Sequence, residues 1–275
     1  MKKTYFLIST SAFFYLATAI NVNAQKLPAK QDGSLRSPPN IKIDGKATEW
    51  NNKFQAYNHS TDIFYTISND DDNLYLTIQS TNLLISKKII AGGVKLTLNT
   101  SGKKNDPYPI AITFPVNNAS TYSKISSILN VSSKERNILV RDSLQLKINN
   151  ELENSEKEIK ITGIKTITDT LISVYNMQGV KACTQFDGKG ALTYELAIPI
   201  KLLGITYDTK LMYNILLSGL SSSSNSHDVT LSDGSIMTVI RKDRSSAESA
   251  AQIAEEYDIL HNSTDFWGDY ILAKK

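Results

Sequence analysis

The residues able to do chemistry are few and scattered. Three histidines, His59, His227 and His261, lie far apart, and none falls in the two-histidine, one-glutamate helical motif that binds zinc. The chain has no Gly-x-Ser-x-Gly nucleophile elbow and no glycine-rich phosphate loop. Its single cysteine, Cys183, excludes an internal disulfide and any multi-cysteine metal cluster. Val180, Ala182 and Phe186 around it read as the setting of a buried, inert thiol on a strand. With 27 acids in the chain, a pair of carboxylates spaced for glycoside hydrolysis can be picked anywhere and carries no weight. The chain therefore reads as a non-enzyme. One acidic cluster stands out, Asp70-Asp71-Asp72-Asn73, with Asp70 and Asp72 as candidate oxygen ligands for calcium. The glycine and bidentate glutamate of the twelve-residue calcium loop are missing. The same residues suit a hairpin turn, because Asp and Asn side chains bond nearby backbone N–H groups, and the turn is the preferred reading.

The elements that must position these residues are mostly strands. Of 275 residues, 41% are apolar and 21% charged, the composition of a globular chain. Lys2 and Lys3, an apolar stretch from Tyr5 to Ile20 and the small residues before Gln25 form the pattern of a secretory signal peptide over residues 1–24. The protein is therefore expected to be exported, periplasmic or extracellular, with no membrane span after cleavage. Residues 25–40, holding Pro28, Gly33, Pro38 and Pro39, read as a flexible linker. Period-two segments then recur: Ile63/Tyr65/Ile67, Leu74/Leu76/Ile78, Val94/Leu96/Leu98, Ile110/Ile112/Phe114, Ile159/Ile161, Tyr194/Leu196/Ile198 and Tyr213/Ile215/Leu217. They predict an all-β fold over 41–275: an antiparallel two-sheet sandwich, immunoglobulin-like or jelly-roll-like. One or two short peripheral helices are expected. Tyr122, Ile125, Ile128 and Leu129 have helical spacing, and Ser245-x-x-Glu248 is a capping box.

The most informative stretch is Ile41-Lys42-Ile43-Asp44-Gly45-Lys46-Ala47-Thr48-Glu49-Trp50, a strand, an Asp-Gly turn and a tryptophan able to close one end of a core. This opening resembles that of carbohydrate-binding module family nine. Other pieces are similar in order: Tyr65-Thr66-Ile67, Asn73-Leu74-Tyr75-Leu76, Gly93 to Asn99, and Tyr194-Glu195-Leu196-Ala197-Ile198-Pro199 before Leu203-Gly204. The middle, 117–180, departs from the family pattern and reads as an insertion. The resemblance implies a sandwich of ten or more strands, binding polysaccharide or oligosaccharide through aromatic side chains, in some cases beside a glycoside hydrolase. In it, Asp44, Gly45, Glu49 and Trp50 serve the fold. The candidate sugar platforms are Trp267, Tyr108 and Tyr57, since sugar rings stack on aromatic faces while nearby Asp and Asn bond their hydroxyls.

Two rival readings remain. One is an envelope structural or protein-interaction sandwich with a protein partner and no sugar. The other is a haem-binding sandwich using Met177, Met212, Met237 or His227 as axial ligands. Charge bears on the partner. The chain carries 30 Lys+Arg against 27 Asp+Glu, and removing Lys2 and Lys3 with the signal leaves 28 against 27, a net of +1. No basic concentration of the nucleic-acid-binding kind is present. A near-neutral total favours a neutral ligand or a protein over a polyanion.

Overall fold

The computed structural model describes residues 26–116, 119–220, 227–230, 236–239 and 247–275, with 227–230, 236–239 and 247–253 described as backbone. The expected sandwich is present. In chain order its elements are β1 (Ala56–Asn58), β2 (Ile63–Asn69), β3 (Asn73–Ser80), α1 (Leu83–Gly92), β4 (Val94–Asn99), β5 (Ile110–Phe114), α2 (Ala119–Ser132) and α3 (Ile138–Ser155). Then come β6 (Glu158–Thr162), β7 (Leu171–Ser173), β8 (Lys181–Phe186), β9 (Leu192–Pro199), α4 (Ile200–Leu203), β10 (Lys210–Leu217), β11 (His227–Thr230), β12 (Ile236–Val239), α5 (Ala247–His261) and β13 (Thr264–Ile271). A five-stranded sheet has the order β1-β2-β3-β9-β8 and a six-stranded sheet the order β13-β10-β4-β5-β6-β7. Every pairing within both sheets is antiparallel. β11 and β12 pair antiparallel as a separate two-stranded sheet.

Alternation decides which residues meet between the sheets. Ile63, Tyr65 and Ile67, Leu74, Leu76 and Ile78, and Leu192, Tyr194, Leu196 and Ile198 point inward from one sheet. Val94, Leu96 and Leu98, Ile110, Ile112 and Phe114, and Tyr213, Ile215 and Leu217 meet them from the other. The hydroxyls of Tyr65 and Tyr213 bond across the core at 3.1 Å. Gly268 makes room for the Tyr213 ring, into which a Cβ would run. The β2–β3 hairpin turns at the predicted acidic cluster. Asp70 accepts from the Asp72 and Asn73 N–H groups at 2.8 and 2.7 Å and from the Tyr75 hydroxyl at 2.6 Å.

Two expectations need correction. Residues 25–40 are not a free linker where they are described. Pro28 O accepts from Tyr57 N, Ser37 N donates to Asn69 O, and the Gln31 amide bonds both the N–H and the C=O of Ile67 at 2.8 Å. A buried glutamine thus mimics one residue of an added strand. Helices are also more numerous and longer than one or two. The 117–180 stretch holds α2 and α3 as well as β6 and β7, both strands of the six-stranded sheet, and α3 packs on β8. Asn82 and Asn137 cap α1 and α3 by accepting from Leu84 N and Leu139 N. No helix among the described residues is long and apolar enough to cross a membrane.

Candidate functional site

The two outer faces of the sandwich divide the candidate residues between them. On the outer face of the five-stranded sheet lies the segment 41–54, with Ala47, Trp50 and Phe54 packed together against Leu35, Ile41 and Phe64. Asp44 and Gly45 form its turn: Asp44 Oδ1 accepts from Lys46 N, and Gly45 sits at φ +77 with Gln185 Cβ only 2.6 Å from where a Cβ would stand. Glu195 Oε2, on β9, accepts from both Asp44 N and Gly45 N at 3.0 and 2.9 Å. Two stretches that the sequence singled out separately are therefore one structural unit. Burial pushes the Glu195 carboxyl up to about 8, against the lowering effect of those two N–H groups. Cys183 is its cross-strand partner on β8; burial, then the carboxylates of Glu156, Glu195 and Asp44, push its thiol up to about 12, so it is inert. Trp50 is buried, and Glu49 accepts from the hydroxyl of its neighbour Thr48.

Tyr57 belongs to this same face. It pairs with Phe64 across β1 and β2, its ring lies 4.7 Å from that of Phe64, and its hydroxyl donates to Asp62 at 2.5 Å.

Trp267 and Tyr108 lie on the other side. Register places Trp267, Asn214, Thr97, Ala111 and Thr162 in one row across β13, β10, β4, β5 and β6, all pointing away from the core. Beside that row, the β4–β5 connection folds over Trp267 to form an open cleft of about 570 Å³. Its lining includes Trp267, Thr97, Asn99, Lys104, Asn105 and Asp106. The loop is held by its own polar residues. Asn99 Nδ2 donates to Lys103 O and Lys104 O at 2.8 and 2.7 Å. Asp106 accepts from Ser101 N and Tyr108 N; the Ser101 side chain, then the Tyr108 and Ser101 N–H groups, hold its carboxyl below the ordinary carboxylate value. Tyr108, between Pro107 and Pro109 of the cleft rim, is 83% exposed. Trp267 is half-buried, with Lys104 Nζ 5.9 Å from its ring centroid. Asn99 is buried, and its Oδ1 has no hydrogen-bond partner.

Of the three aromatics, Trp267 lines the cleft; Tyr108 stands between two lining residues, Pro107 and Pro109, without lining it itself, and Tyr57 lies on the other sheet. Asn99, Lys104 and Asn105 were missed as site residues. The signal available was strand parity, since Thr97 and Asn99 share a face that Lys104 and Asn105 follow within one loop.

The remaining candidates are dispersed. Asp70 is engaged by its turn, and Asp71 pairs with Arg36 and Lys275. Among the described residues, no group of three or more His, Cys, Asp or Glu could hold a metal ion. Met177 is fully exposed beyond β7, while Met212 lies on β10, separated from β7 by three strands. The side chains of Met237 and His227 lie outside the described residues.

No family model matches the chain, and neither a curated protein nor a solved structure matches it significantly. Fold and site thus define a two-sheet antiparallel sandwich with an open, aromatic-floored cleft on one outer face.

Proposed function

We propose that the chain is an exported, non-catalytic carbohydrate-binding sandwich whose ligand lies across the cleft between Trp267 and the 100–109 loop. One observation carries the reading: Trp267 and the Tyr108 loop, 159 positions apart in the chain, flank a single open cleft rimmed by amides and a carboxylate. A half-exposed indole offers a flat apolar face to a sugar ring. Asn105 and Thr97 offer acceptors and donors for hydroxyls around it. The loop's internal bonds preform the site, so little conformational entropy is lost on binding. The test is affinity electrophoresis of the 25–275 chain in gels containing neutral and acidic polysaccharides. Retardation by at least one polysaccharide is expected, weakened roughly tenfold in Trp267→Ala with unchanged circular dichroism. Migration unaffected by every polysaccharide overturns the reading.

A specific observation favours a second reading, a protein-interaction domain. Val131, Ile138, Leu139, Val140 and Leu146 on α2 and α3 are exposed, Leu139 to 76%. A constant oligomer by light scattering, insensitive to glycans, is the outcome that supports it.

A further inference from the structure

Acids and bases are differently engaged on the outer face that carries the cleft. On the outer face of the six-stranded sheet, a second row runs Asp265, Leu216, Lys95, Thr113, Lys160 and Leu171, beside the Trp267 row. The acids near Trp267 are already engaged. Asp269 pairs with Lys210 at 3.2 Å, and Asp265 accepts from Asn214 Nδ2 at 2.5 Å. Asp106, the acid of the cleft, spends both oxygens on backbone N–H groups. The cations are differently placed. Lys95, Lys104 and Lys160 are exposed, and none pairs with a carboxylate among the described residues. Lys95 and Lys160 stand two strand spacings apart, roughly 10 Å between backbones. Glu158, two residues before Lys160 on β6, is exposed on this face and has no ion pair among the described residues. Lys104 also lies over the aromatic face that a sugar must use. A neutral sugar has to displace that ammonium, whereas a carboxylate on the sugar ring turns it into a partner beside the stacking surface.

We infer that the cleft takes acidic sugars, a uronate chain whose ring stacks on Trp267, whose carboxylate pairs with Lys104 and whose further carboxylates run over Lys95 and Lys160. This inference rests on the carbohydrate reading above and specifies its ligand class.

The experiment uses one polymer in two charge states, polygalacturonate and its fully methyl-esterified form, with dextran sulfate and a neutral glucan as further arms. Binding of the 25–275 chain is measured by isothermal titration at low and moderate salt. Polygalacturonate is expected to bind roughly tenfold or more tightly than its ester, with affinity falling as salt rises. Lys104→Gln is expected to erase most of that preference by weakening polygalacturonate binding; Lys95→Gln/Lys160→Gln lowers affinity for long chains more than for short oligouronates. All three lysines are exposed, so the variants keep the fold. Equal binding of acid and ester, or preference for the neutral glucan, overturns the acidic-sugar inference and leaves the carbohydrate reading standing. Equal or tighter binding of dextran sulfate also overturns it, because charge alone then explains the attraction. Binding of none of the four, together with no retardation in any gel, overturns both.

Discussion

The two outer faces of this sandwich are built on the same alternation and put to opposite use. The outer residues of β9, Thr193, Glu195 and Ala197, are buried, because segment 41–54 lies over their sheet. On the six-stranded sheet Lys95, Lys160, Asp265 and Asp269 of the outer face meet solvent, while Asn99, Ala111 and Asn214 are buried among them. The residues that look most like a signature, Asp44, Gly45, Trp50 and Glu195, all lie under or within the roof. Those that can meet a ligand lie on the bare face and carry no recognisable spacing. A conspicuous motif here marks a covering segment, and the open cleft lies where no motif marks it.

The largest effect that breaks this contrast comes from the roof. Trp50 anchors the cluster with Ala47 and Phe54, and it is 8% exposed. Trp50→Ala is expected to cost about 3 kcal/mol of unfolding free energy, read as a lowered denaturation midpoint in urea. Polysaccharide affinity measured on the folded protein should be unchanged, since the cleft is on the opposite face. Loss of binding with retained stability would reverse the assignment of the two faces.

Glu195 gives a smaller, pH-dependent effect. Its carboxyl is raised from the ordinary 4.5 to about 8 by burial under the Asp44-Gly45 turn. Between those values the unfolded chain has lost this proton while the folded chain keeps it, so unfolding releases a proton. The stability that this group contributes is complete below about 4.5 and is lost as pH rises to 8; above 8 it changes no further. Glu195→Gln keeps an acceptor for the two N–H groups and cannot ionise. Its melting temperature should match the parent at pH 5 and exceed it by a few degrees at pH 8.5. A parent whose stability is flat from pH 5 to 8.5 would contradict a buried, proton-holding Glu195.

How much of this was legible follows from the range over which each feature is encoded. Alternation at Ile63/Tyr65/Ile67 and Leu74/Leu76/Ile78, with the acidic turn between, defines the β2–β3 hairpin locally, and its register follows. Helix α2 showed the apolar spacing of Ile125 and Leu129, both buried. Helix α3 did not, because only Ile148 and Leu152 are fully buried while Ile138, Leu139 and Val140 face solvent. An apolar residue in water leaves no periodic trace. The docking of residues 28–37 was illegible for a similar reason: side-chain amides such as that of Gln31 make the bonds, and their composition reads as loop. In the site, Trp267 and Tyr108 were visible as aromatics among turn residues. The approach of Lys104 and its loop to Trp267 depends on β13 pairing with β10 at the sheet edge, a contact that no local pattern encodes.

The smallest effect separates the two tyrosines that composition made equivalent. Tyr57 and Tyr108 were both nominated as sugar platforms, but only Tyr57 is bound into its surroundings. Its hydroxyl donates to Asp62, whose other oxygen accepts from Asn82 Nδ2 at 2.8 Å, so the bond links β1 to the cap of α1. Tyr57→Phe removes that donor, keeps the ring against Phe64, and should cost about 1 kcal/mol. Tyr108 makes no side-chain hydrogen bond among the described residues and is largely exposed. Tyr108→Phe should leave the denaturation midpoint unchanged, and Tyr108→Ala should weaken polysaccharide binding a few-fold without moving it. Matched midpoints for the two Phe variants would mean that the Tyr57–Asp62 bond contributes nothing to the roofed face. A binding loss in Tyr57→Phe alone would place the ligand on the five-stranded sheet, where segment 41–54 would have to move aside to admit it.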